Sequence, residues 1–125
     1  MGADRAVLVS DEGAAGSDIV ATGGVLAAAL AREAPALPLF GQQSADSDGA
    51  GLWAAVADRL EQPLISQATR LDLADGKATV KRQTEAGFDQ VECPLPAVVS
   101  VTAGVVEPRY PSCKGIVAAR SQPVE

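Results

Sequence analysis

Short apolar runs alternate with amphipathic stretches along this chain, and the spacing within each stretch predicts which element it forms. Residues 6–10 (AVLVS) are apolar and end at Asp11-Glu12-Gly13, a pattern that predicts a buried strand followed by a loop. Ser17 or Asp18 can then cap a helix in which Ile19, Gly23, Leu26 and Leu30 share one face, with Val25 and Ala29 beside them and Arg32 near the end. Pro35 and Pro38 flank a segment leading into Leu37-Pro38-Leu39-Phe40, and an apolar strand there stops at the Gly41 turn.

After a polar stretch from Gln42 to Gly51, Leu52, Val56 and Leu60 recur at helical spacing, with Trp53 and Ala57 adjoining them. The runs 71–73 and 78–81 flank Ala74-Asp75-Gly76-Lys77, where aspartate and glycine can supply the positive φ angles of a hairpin turn. Leu95-Pro96-Ala97-Val98-Val99-Ser100-Val101 is nearly continuous in apolar residues, as in a strand covered on both faces, and predicts a central position in a sheet. Pro108 and Pro111 turn the last segment ahead of a short helical run over 115–120. Strands alternating with helices predict an α/β sheet that takes its ligand at the carboxyl ends of its parallel strands, which singles out the Phe40-Gly41 boundary.

Composition narrows the functions available. At 125 residues the chain is read as a single folding unit. A net charge of -6, with scattered basic residues, makes nucleic acid an unfavourable partner, and 3% aromatic residues leave little for base stacking. With no histidine, Ser-His-Asp and Cys-His chemistry is excluded, and Cys93 and Cys113 lack the spacing of a metal or redox pair. No metal site and no catalytic residue is expected. Cys113 reads as a small buried hydrophobe before a reactive thiol, and Trp53 as a core residue of its helix face. The start of the chain has no basic segment leading into a long apolar run, and no stretch approaches a membrane span, so no membrane insertion and a cytoplasmic location are expected.

Two segments carry candidate chemistry. The first joins an apolar strand to an amphipathic helix and supplies Gly41, Gln43, Ser44, Asp46, Ser47, Asp48, Gly49, Ala50, Gly51 and Leu52. Its glycines allow close backbone approach, its serines offer hydroxyls, and the amides of 49–52 face outward where a helix N-terminus attracts an anion. Asp46 and Asp48 repel phosphate unless they bind sugar hydroxyls or cap amides, so a solvated loop capped by aspartate is the competing reading. The second segment, Glu107, Pro108, Arg109, Tyr110, Pro111, Ser112, Cys113 and Lys114, is a proline-stiffened loop. Arginine and tyrosine there suit the docking of a partner, while an ordinary turn with a Glu107–Arg109 ion pair is the alternative.

Taken in order, these segments resemble the β subunit of electron transfer flavoproteins across nearly the whole chain. Met1-Gly2-Ala3-Asp4-Arg5 looks like the family's internal MGAD segment, and Gly41-Gln42-Gln43-Ser44-Ala45-Asp46 like its GKQAxD stretch. Val80-Lys81-Arg82-Gln83-Thr84-Glu85 through Pro96-Ala97-Val98-Val99 follows the family signature, and Glu107-Pro108-Arg109-Tyr110-Pro111-Ser112 its EPRYPS loop.

The resemblance implies a partial Rossmann-like (adenine nucleotide alpha hydrolase-like) α/β sheet with flanking helices and a β-hairpin. It also implies an electron carrier rather than an enzyme, paired with an α subunit that holds most of the FAD. The loop from Gly41 to Leu52 would lie against AMP, or a second FAD, and the loop from Glu107 to Lys114 would dock flavin-dependent dehydrogenases. A small adenine-nucleotide-binding protein of the same fold, or a non-functional fragment, are the other readings. Cys113 stands where relatives place a leucine anchor, Gly51 and Trp53 replace a glutamine and a small residue, and Ala86 and Asp89 depart from the signature. The resemblance further implies that residues 1–125 are one truncated domain, lacking a preceding βαβ portion and a C-terminal arm, so that the strand at 6–10 would lose a neighbour.

Overall fold

A computed structural model describes residues 2–45 and 48–125. The chain separates into two compact units, one formed by Gly16–Val105 and the other by residues 2–15 together with Val106–Glu125.

The larger unit begins with helix α1, Ile19–Glu33, whose N-terminus is closed by the Asp18 carboxylate accepting the Ala21 N–H at 2.8 Å. The helix ends at Ala34, which turns left-handed and donates its N–H to the Leu30 carbonyl at 2.8 Å. Helix α2, Leu52–Leu60, packs on α1, and the two backbones come close at Gly23, where an added Cβ would lie 2.9 Å from the Ala55 Cβ.

Beside these helices lie strands β1 (Leu39–Phe40), β2 (Leu64–Ala74), β3 (Lys77–Thr84), β4 (Gly87–Pro94) and β5 (Val98–Val101), in the sheet order β1-β5-β2-β3-β4. β5 runs parallel to both β1 and β2, with Val99 opposite Leu39 on one side and Ile65 on the other. Its central place agrees with the apolar run read from the sequence, and Val98, Val99 and Ser100 are fully buried. The rest of the sheet is antiparallel. Asp75 and Gly76, with φ of 51° and 72°, link β2 to β3, the pair of positive angles that matches the twist of a two-residue hairpin.

The expected strand before Gly41 shortens to Leu39–Phe40, since prolines at 35 and 38 remove donors upstream. β4 had no counterpart in the sequence reading. Only Val91 and Cys93 of this strand face the core, opposite Val80 and Ala78, and its exposed Asp89, Gln90 and Glu92 conceal the alternation. Ile65, Ala68, Ala78, Val80, Cys93, Ala97 and Val99 form the core of the sheet, while Val56 and Ala57 are the buried residues of α2.

In the smaller unit, the expected buried strand at 6–10 is not formed. Ala6 makes one isolated parallel bridge with Val124, and the Leu8 N–H donates to the Glu125 carbonyl at 2.7 Å. Val7, Leu8 and Val9 are 47%, 69% and 50% exposed. A run of branched side chains favours extended backbone, but a strand needs a ladder of partners, and here one short segment supplies them. Helix α3, Cys113–Ala119, is capped by Ser112, whose hydroxyl accepts the Gly115 N–H at 3.1 Å. It starts two residues ahead of the expected run.

Candidate functional site

The parallel strands share one carboxyl edge, and polar residues collect there. Gln42 follows β1, Ser66 and Gln67 lie where β2 leaves its pairing with β5, and Thr102 and Ala103 follow β5. Together with Thr69 and with Arg82, Gln83, Thr84 and Glu85 at the far end of β3, they line an open cleft of about 770 Å³. Its walls are carboxamides and hydroxyls with one guanidinium and the Glu85 carboxylate, and Arg82 is partly engaged by Asp89 at 3.2 Å. Such a lining can exchange hydrogen bonds with a sugar or a heteroaromatic edge in either direction.

The loop read as a nucleotide site opens from the same edge. Its described residues are braced to one another: the Ser44 hydroxyl accepts the Gly49 N–H at 3.1 Å, the Gln43 side chain donates to the Asp48 carboxylate at 3.2 Å, and the Ala50 N–H donates to the Asp48 carbonyl at 2.7 Å. Asp46 and Ser47 lie outside the described residues. Gly51, at φ 98°, is the N-cap of α2, and among the described residues no side chain caps the start of that helix. Trp53 is half-buried, and its indole N–H donates to the Gln42 carbonyl at 3.4 Å, tying the helix to the loop.

The structure therefore brings Gly41, Gln43, Ser44, Asp48, Gly49, Ala50, Gly51 and Leu52 into one loop and helix start. It adds a cleft wall that the sequence reading missed: Ser66, Gln67, Thr69, Arg82, Gln83, Thr84, Glu85 and Thr102. A usable signal existed for Thr102, because the carboxyl-edge rule applied to Gly41 after β1 applies equally to the residue after β5.

In the smaller unit, Glu107, Pro108, Arg109, Tyr110, Cys113 and Lys114 are all exposed, Tyr110 to 88%. Among the described residues no ion pair joins Glu107 to Arg109. Cys113 is exposed and Cys93 is buried, so the small-hydrophobe reading of Cys113 gives way: position 113 opens a short helix that has no buried residue. Among the described residues, no group of carboxylates and cysteines is arranged to hold a metal ion, and no helix is long and apolar enough to cross a membrane.

Residues 1–125 match the family model described as the electron transfer flavoprotein domain. The chain is similar to the electron transfer flavoprotein subunit beta of Mycobacterium tuberculosis, 41% identical over 125 residues, covering 99% of this chain and 47% of that protein. It is also similar to the electron transfer flavoprotein subunit beta of Methylophilus methylotrophus (38% identical, 99% and 48% covered). A third relative is the caffeyl-CoA reductase-Etf complex subunit CarD of Acetobacterium woodii (37% identical, 99% and 48% covered). The chain spans about half the length of the relatives it matches.

Proposed function

Because this chain belongs to the electron transfer flavoprotein family, we propose that it is the nucleotide-holding and donor-docking part of a β-type subunit, an electron carrier component and not an enzyme. In that role it pairs with an α-type subunit that holds most of the FAD, and the flavin performs the redox chemistry while protein groups position it.

AMP, or a second FAD, is held by Gly41, Gln43, Ser44, Asp46, Ser47, Asp48, Gly49, Ala50, Gly51 and Leu52. The observation that carries this is the start of α2, where Gly51 leaves the first helix amides without a side-chain cap at the mouth of a glycine-rich loop. The sugar and base extend along the neighbouring cleft, whose hydroxyls and carboxamides suit them. The exposed loop bearing Glu107, Pro108, Arg109, Tyr110, Cys113 and Lys114 docks flavin-dependent dehydrogenases, with Tyr110 and Arg109 as anchors.

Co-expression with an electron transfer flavoprotein α subunit from the same source, followed by an absorbance spectrum of the purified material, tests this reading. A yellow, equimolar complex that releases AMP or FAD on denaturation is expected. A colourless chain that purifies alone would overturn the carrier role for this polypeptide.

A further inference from the structure

Among the described residues, Ser100 is the one fully buried polar side chain, and it lies in the central strand after Val98 and Val99. A hydroxyl placed there without a partner is costly, so its partner explains its presence. That partner is the backbone N–H of Gln67, which donates to the Ser100 Oγ at 2.9 Å. Gln67 has φ of 56°, a left-handed conformation that a non-glycine residue keeps only when its surroundings hold it there.

The register of β2 shifts at this residue and again just beyond it. Against β5 it shifts between Ile65 and Ala68, and against β3 between Ala68 and Arg70. Beyond the break, the Ala68 carbonyl accepts both the N–H and the hydroxyl of Thr102, at 3.0 and 3.3 Å, and the Thr69 hydroxyl donates to the Lys81 carbonyl at 2.9 Å. Irregularities of this kind re-aim side chains near sites. Ser66, Gln67, Thr69 and Thr102, which surround this one, all line the cleft.

We propose that Ser100 is a positioning residue for the cleft: its hydroxyl holds Gln67 left-handed, and that one residue turns β2 so that Ser66, Gln67 and Thr69 form the cleft wall. The ligand part of this inference rests on the nucleotide reading above; the geometric part does not. Ser100 touches no ligand in this scheme and acts only through Gln67.

The test is AMP titration, by calorimetry, into the protein as expressed with any partner that co-purifies, comparing Ser100→Ala, Gln67→Asn and the double variant. Ser100→Ala is expected to weaken AMP binding about tenfold, the equivalent of one lost hydrogen bond, and Gln67→Asn in that background to recover part of that loss, because asparagine tolerates the left-handed angle and keeps a carboxamide in the cleft wall. Should Ser100→Ala fail to fold, Ser100→Cys, close in volume and a weaker acceptor, replaces it with the same expected order.

Unchanged AMP affinity in the serine variant, or a Gln67 amide whose exchange that variant leaves unchanged, overturns the proposal. If the unsubstituted protein binds no AMP, the nucleotide reading fails by itself, and amide exchange without ligand decides. Faster exchange at Gln67 and Thr102 with Val99 unchanged upholds the positioning role, and unchanged rates at Gln67 overturn it.

Discussion

The indole N–H of Trp53, on the first turn of α2, donates to the carbonyl of Gln42, eleven residues back on the other side of the glycine-rich loop. The side chain belongs to a helix that packs on α1, so the loop is anchored to a rigid element at both of its ends. Trp53→Phe keeps an aromatic ring in place and removes the donor, at about 0.5–1.5 kcal/mol. Amide exchange over residues 42–51 is expected to quicken by up to about tenfold while that of α1 stays unchanged. Equal exchange in both proteins would show that the bond does not restrain the loop.

Adjacent glycines on α1 face different surroundings and are expected to respond in opposite directions to alanine. A Cβ on Gly23 would lie 2.9 Å from the Ala55 Cβ, so Gly23→Ala forces the helices apart, at about 1–3 kcal/mol beyond any gain in helix propensity. A Cβ on Gly24 meets only the guanidinium end of Arg59, at 3.4 Å, which can swing aside. Gly24→Ala is expected to stabilise by about 0.5–1 kcal/mol. Urea unfolding midpoints of the two variants on opposite sides of the unsubstituted protein are the expected result, and the same sign for both would contradict the packing.

At the β2–β3 turn, Gly76 holds φ of 72° with no heavy atom within 4 Å of an added Cβ. The cost of Gly76→Ala is therefore conformational and not steric, about 1–2 kcal/mol. Thermal unfolding measures it; Gly76→Asn, which tolerates the left-handed angle better, is expected to lose clearly less.

Lys77 and Glu92 pair across β3 and β4 at 2.6 Å on the exposed face. The hydrogen bond to the Glu92 carboxylate, and then its charge, raise the lysine above its ordinary 10.5. A raised folded value means that the contribution is fully present below the ordinary lysine range and is lost as pH rises through the raised value. An NMR titration of the Lys77 side chain is expected to show this upward displacement, and Glu92→Gln to return it toward the ordinary value. A titration unaffected by the substitution would assign the displacement elsewhere.

Where local chemistry was sufficient, the sequence was readable. The Ser17-Asp18 pair marked a helix cap, which Asp18 supplies, Leu52, Val56 and Leu60 describe a helix face by spacing, and Asp75-Gly76 has few uses other than a tight turn. The run from Leu95 to Val101 announced a strand covered on both sides, and its second half, Val98–Val101, forms one. Features that depend on which strands become neighbours were not readable. Gln67 has nothing in its own segment to mark a left-handed residue; its conformation follows from a serine distant in sequence, and the cleft follows from that pairing. The run at residues 6–10 failed for the complementary reason, since its composition favoured a strand while, among the described residues, its pairing is one isolated bridge to Val124. The glycine-rich loop was located correctly, but its internal bracing through Ser44, Gln43 and Trp53 is visible only in three dimensions.

The position of β5 also has a temporal consequence. The hairpins joining β2, β3 and β4 connect near neighbours and can close early, whereas β5, which follows all four of the other strands of this sheet in the chain, must insert between β1 and β2. On the ribosome, the edges that will receive Val98–Val101 stay unpaired until those residues emerge, so the nascent sheet passes through a stage with its central seam open. The carboxyl-edge cleft has no complete wall before that seam closes, and the fold acquires its candidate site in the same event that completes its core.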